Sequence, residues 1–171
     1  FARAATARWR FIQFGDLLIG TNFQDDIQAY DLVAGGDLTA LSVEAPRARY
    51  IAIVRDFPVV AHTSDDIDGT DAYRVQWPGF VDGVVDPTEW TLGSLRTQAD
   101  FQRMSDIGQI TGLTGGQYGT IVGDAGVAIM QYGGSLFSFS TIERRLGYRI
   151  PHSVVQYRQQ TFFRSPDGWM V

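Results

Sequence analysis

Apolar residues in this chain come in short runs, each broken by glycine, aspartate or proline, and no stretch sustains the period of an amphipathic helix. A chain punctuated this way is predicted to be nearly all β. Four segments repeat one pattern, two apolar or alternating runs around a tight polar turn: FIQFGDLLIG, YIAIVRDFPVVA, ITGLTGGQYGTIVG and SVVQYRQQTFF. That is the signature of a β-hairpin.

The predicted turns are centred on Asp16, Asp56, Gly116 and Gln159, giving steps of 40, 60 and 43 residues. Two of these steps match the roughly 40 to 50 residues that a four-stranded propeller blade consumes. Further strands are expected after each hairpin, at Ile27 to Leu32 with Leu38 to Leu41, at Tyr73 to Trp77, and at Val127 to Tyr132 with Leu136 to Ile142. The expected fold is therefore all-β, a propeller-like array of four-stranded blades, with a β-sandwich or barrel as the alternative.

The chain, residues 1–171, reads as one β-rich domain or a piece of a larger propeller. The longer step implies an insertion at about 62–108, expected to be exposed loop carrying inter-subunit contacts. Inside it a short helix is predicted from Thr97 to Met104, with Thr97 and Asp100 as caps. Phe1 at the start and the apolar Trp169-Met170-Val171 at the end are what a segment cut from a longer chain would show.

Hydrophobic residues make up 44% of the chain, which argues for burial and against disorder. Every one of the 14 basic residues is arginine, suited to planar, bidentate pairing. The net charge of −5 disfavours tight binding to phosphates. With no cysteine, disulfides and thiolate metal sites are excluded. No apolar stretch approaches the roughly 18 residues of a membrane span, so a soluble location without a membrane anchor is expected.

Candidate chemistry is sparse. His62 and His152 lack partners at metal-ligand spacing. His152 and Ser153 are adjacent, so in a strand they would point to opposite faces and could not act as base and nucleophile. The run SDDIDGTD offers Asp65, Asp66, Asp68 and Asp71 but departs from the EF-hand pattern, and it reads as an acidic turn with Gly69 at its tip. The glycines of GLTGGQYGTIVGDAG precede the β-branched Thr120-Ile121-Val122 instead of a helix, so hairpin turns account for them better than a phosphate loop. No catalytic, cofactor-binding or metal-binding residue is assigned, and no enzymatic activity is expected. Trp77, Trp90, Trp9 and the tyrosines are expected to pack.

The stretches TARWRFIQFGDLLIGTN, PRARYIAIVRDFPVV, YRVQWPGFVDGVVDPTEWT and SVVQYRQQTFFRSPDGW resemble the nozzle or hub subunits of short-tailed bacteriophages, the propeller-bearing tubular tail proteins. Arg74-Val75-Gln76-Trp77 followed by Asp86-Pro87-Thr88-Glu89-Trp90 is the most distinctive part. The chain is far shorter than such a subunit. The resemblance implies a structural protein of the virion tail, one copy in a homo-oligomeric ring that meets a portal or adaptor and other tail proteins. DNA would pass through that ring without tight binding, past a wall whose negative charge repels it. The ending Ser165 to Trp169 also resembles the Asp-box turn of sialidase-like propellers, although a residue between Asp167 and Gly168 and the threonine are missing. A carbohydrate- or receptor-binding propeller and a sialidase-type glycoside hydrolase are therefore the alternative functions.

Overall fold

A computed structural model describes residues 8–94, 96–144, 150, 153–158, 160–165 and 167–171. Four successive antiparallel sheets follow one another along the described chain. The first is β1 (Arg10–Phe14), β2 (Leu17–Thr21), β3 (Gln28–Asp31) and β4 (Thr39–Ala40), paired in chain order. The second begins with β5 (Arg47–Val54), β6 (Phe57–Asp65) and β7 (Gly69–Trp77). A small hairpin, β8 (Phe80–Val81) and β9 (Val84–Val85), intervenes before β10 (Asp100–Arg103) pairs with β7 as the fourth strand. The third sheet is β11 (Ile110–Thr114), β12 (Gly119–Gly123), β13 (Gly126–Tyr132) and β14 (Phe137–Arg144), and the fourth is β15 (Val155–Tyr157), β16 (Gln160–Ser165) and β17 (Gly168–Met170).

The opening hairpin of each sheet turns where the sequence predicts. Gly15-Asp16 separates β1 from β2, Arg55-Asp56 separates β5 from β6, and residues 115–118 separate β11 from β12. The fourth turn follows Tyr157, and its marker Gln159 lies outside the described residues. Gly15, Arg55 and Arg158 stand at the same place in their turns with φ of 55°, 56° and 56°. A left-handed residue there matches the twist of the flanking strands.

Alternation along the strands gives each inner sheet two apolar faces. Ile12, Phe14, Leu17 and Ile19 of the first sheet cluster with Ala48, Ile51 and Val60 of the second. The opposite face of the second sheet, with Tyr50, Ala52, Val59, Val75 and Trp77, packs on Leu113, Ile121, Ala128 and Met130 of the third. Val122 and Val127, on the far face of the third, meet Val154, Phe163 and Met170 at the fourth. Each such aliphatic side chain, fully buried, contributes about 1.5–3 kcal/mol relative to exposure.

Two local readings differ from the structure. The helix expected from Thr97 to Met104 is replaced by β10, whose Asp100 to Arg103 pair with Trp77 to Arg74, and by a 3-10 turn at Ser105–Ile107. Long-range pairing to the open edge of β7 outweighs the local capping signal. Of the expected insertion at 62–108, the stretch outside the four-stranded sheet and the 3-10 turn is mainly 78–99; His62 to Asp65 belong to β6, and β7 is a sheet interior strand. Trp90 is only 1% exposed and its indole N–H donates to the Pro87 carbonyl at 2.7 Å, so even this segment plugs the core beside the first sheet. Trp77 is 7% exposed, as its packing role requires, whereas Trp169 is 71% exposed and Tyr118 and Tyr157 also face solvent.

Candidate functional site

The first strands of the sheets lie side by side, β1 against β5 and β5 against β11. Their tips are tied through backbone. Gly116 N–H donates to the Ile53 carbonyl at 2.8 Å, and Arg55 N–H donates to the Gly116 carbonyl at 2.6 Å. A Cβ on Gly115 would fall 2.0 Å from the Ile53 oxygen, so only glycine permits this approach. One step further along, the Gln156 amide of β15 donates to the Gly115 carbonyl at 2.7 Å. Gly112 repeats the device, since a Cβ there would sit 2.2 Å from Val154.

These strands line a shared shallow concavity of about 360 Å³, with Ile12 and Gln13 from β1, Ile51 and Ile53 from β5, Thr114 from β11 and Gln156 from β15. Arg10 is the charged residue of that lining among the described residues. Burial lowers the pKa of its guanidinium, which stacks 5.1 Å from the Tyr50 ring centroid. A surface of this kind offers few charges to grip a polyanion.

The acidic turn is occupied by arginines of its own sheet. Arg74, 1% exposed, bonds to Asp65, to Asp68 at 3.3 Å and to the Thr63 hydroxyl at 2.5 Å. Arg47 meets Asp66 at 2.9 Å and Arg103 meets Asp71 at 2.9 Å. Desolvation pushes the Asp65 carboxyl up, but the Asp68 amide, the Arg74 guanidinium and the Ile67 amide together hold it below the ordinary carboxylate value. Strands β5 and β7 are thereby fastened to the β6–β7 turn, and β10 is tied to β7. Among the described residues no group of three His, Asp or Glu is arranged to hold a metal ion.

His62 joins three sheets. It sits in β6 with φ of 55°, where the register with β7 shifts between Ala61 and Thr63, and such a bulge re-aims the side chain. Arg49 Nε donates to its Nε2 at 3.0 Å, and its Nδ1 lies 3.2 Å from the Ile110 carbonyl on β11. A guanidinium can only donate and a carbonyl can only accept, so the ring is neutral with its proton on Nδ1. Burial lowers its pKa, in the same direction as Arg49 and against the Ile110 contact and Asp71. Phe23, from the first sheet's β2–β3 connection, stacks edge-on to the imidazole at 5.3 Å and lies 4.4 Å beneath the Arg49 guanidinium. His152 lies outside the described residues.

A second concavity, about 430 Å³, opens between the second and third sheets. Phe57, Trp77, Phe80, Tyr132 and Phe137 form its wall, with ring centroids 4.9 to 5.3 Å apart along the chain of contacts, and Gln98 and Asp100 stand at its polar side. Elsewhere, Gly119–Gly123 is strand β12, which removes the phosphate-loop geometry, and Ser165 Oγ accepts from the Asp167 amide at 3.1 Å in the β16–β17 turn.

No protein-family model matches this chain, and no curated protein matches it closely enough to count as a relative. No helix among the described residues is long and apolar enough to cross a membrane.

Burial of Arg74 and Gln76 is the main feature that sequence reasoning missed. Alternation in β7 marks Val75 and Trp77 as inward, but both of its faces are covered, so the intervening polar residues are buried as well.

Proposed function

We propose that this protein is a non-catalytic structural subunit whose sheets are propeller blades, and that it assembles into a ring or tube of a bacteriophage tail through which DNA passes. The observation that carries the reading is the stacking order: meandering sheets packed face to face in sequence, with their first strands gathered along one concavity. Blades set around an axis would present the same order, and this supports the reading. The sequence likeness to tail nozzle subunits supplies the viral part of the proposal.

The ends of the stack support assembly. Phe11, stacked on Trp9 at 5.5 Å, is half exposed on the outer face of the first sheet. Val155, Tyr157 and Trp169 are exposed on the last. Apolar faces of this kind mark contact surfaces. The net charge of −5 suits a wall past which duplex DNA slides.

The aromatic concavity between the second and third sheets favours a second reading, a carbohydrate- or receptor-binding propeller, because rings beside Gln98 and Asp100 suit the apolar face and hydroxyls of a sugar. Cryo-electron microscopy of the purified assembly separates the two. A closed ring of subunits around an open lumen supports the structural role, and isolated subunits that bind glycans through the aromatic concavity support the other.

A further inference from the structure

The two end sheets each have one face that no other sheet of the described chain covers. In the first sheet Ile12, Phe14, Leu17 and Ile19 face the second sheet, so alternation sends Phe11, Gln13 and Leu18 to the opposite side. Phe11 lies opposite Gly20 in the ladder, where a Cβ would fall 2.5 Å from the Phe11 ring, and that ring stacks on Trp9 with 11° between the planes. In the fourth sheet Phe163 and Met170 face the third, so Phe162, Arg164 and Trp169 point outward. Val155, opposite Phe162, and Tyr157 share that face, and Val155, Tyr157 and Trp169 are each more than half exposed.

Charge divides between the same two ends. Residues 8–41 carry Asp16, Asp25, Asp26, Asp31 and Asp37 against Arg8 and Arg10, whereas the fourth sheet carries Arg158 and Arg164 against Asp167. Among the described residues none of those five aspartates joins an ion pair, and neither does Arg158 or Arg164. The second sheet differs, because its Asp65, Asp66, Asp68 and Asp71 are all held by its own arginines.

We propose that the outward face of the fourth sheet docks on the outward face of the first sheet of a second copy of this chain, head to tail. The inference rests on the reading of the chain as an assembling subunit and specifies which faces meet. Within the chain each junction covers the far face of one sheet with the next sheet, and the contact between copies continues that order. Among the described residues no core cluster joins the fourth sheet to the first of the same chain, which leaves both faces to a neighbour. Like faces would set arginine against arginine or aspartate against aspartate, and such juxtapositions suppress pairing. Unlike faces set arginines against acids and aromatic rings against aromatic rings. A contact between unlike faces is heterologous, and it closes into a ring when its rotation allows.

Native mass spectrometry of two variants, each with one face blocked, tests this at the concentration where the parent assembles. Phe11→Arg blocks the first sheet, Arg164→Glu/Trp169→Glu blocks the fourth, and circular dichroism checks that each keeps the strand content of the parent. Each variant alone is expected to lose assembly and show the single-chain mass. An equimolar mixture is expected to give a one-to-one heterodimer, because it retains one intact pair of unlike faces. If Phe11→Arg does not fold, Gln13→Arg on the same face takes its place. The proposal is overturned, with assembly itself standing, if the parent assembles and either variant alone still does, or if the mixture gives no heterodimer. A single-chain mass for the parent overturns the proposal and the assembly reading together.

Discussion

The amide of Gly116 donates to the carbonyl of Ile53 at 2.8 Å, tying the opening hairpins of the second and third sheets backbone to backbone. The contact depends on the neighbouring Gly115, whose position leaves no room for a methyl group against the Ile53 oxygen. Gly115→Ala is therefore expected to cost about 1–3 kcal/mol through strain at the junction. Gly133→Ala is the control, since a Cβ there meets the Leu136 carbonyl at an ordinary 3.5 Å, and it should stay within about 0.5 kcal/mol. Chemical denaturation of the two variants measures the difference.

Trp90 and Trp77 are predicted to be packing residues. Replacing either with alanine should destabilise the protein by roughly 3 to 5 kcal/mol. Trp90→Ala also strands the Pro87 carbonyl that its indole serves. Denaturant midpoints report both, and losses below about 1 kcal/mol in both variants would show rings free to bind a ligand.

Removing the buried arginine of the acidic turn should be costly. Arg74→Ala leaves Asp65 and Thr63 without their partner and is expected to cost about 3 to 5 kcal/mol. The Asp65 carboxyl is held below its ordinary value, so its contribution is fully present above the unfolded pKa of about 4 and is lost as pH falls through the folded value. Stability measured against pH in the acid range should fall in the parent and fall less steeply in Arg74→Met.

His62 should give a separate pH response. Its folded pKa is depressed, so the unfolded chain takes up the proton first. Stability is fully present above about 6.5, declines as pH drops below that value, and levels off beneath the folded pKa. His62→Phe should abolish this slope, and an NMR titration of the imidazole should show a midpoint below the free value. A normal or raised midpoint would contradict the neutral ring bridging Arg49 and Ile110.

Turn positions and most strands were legible because hairpin punctuation is local: Gly15-Asp16, Arg55-Asp56 and Gly115-Gly116 each sit between alternating runs. Left-handed Arg55 was not legible, since its backbone angle comes from the two-residue turn that its strands impose. The sequence of Asp100 to Arg103 reads as helix because its partner, β7, lies more than twenty residues earlier and leaves no local mark. The contacts of the candidate sites fail to show for the same reason. His62 reaches Ile110 across 48 residues.

The central claim is that these stacked sheets form a subunit that assembles. Native mass spectrometry of the purified protein tests it most directly, because the exposed faces around Phe11 and Trp169 lie at opposite ends of the sheet order. The account predicts a discrete multiple of the 19.0 kDa chain, as a closed ring requires. A single-chain mass at concentrations well above micromolar would contradict it.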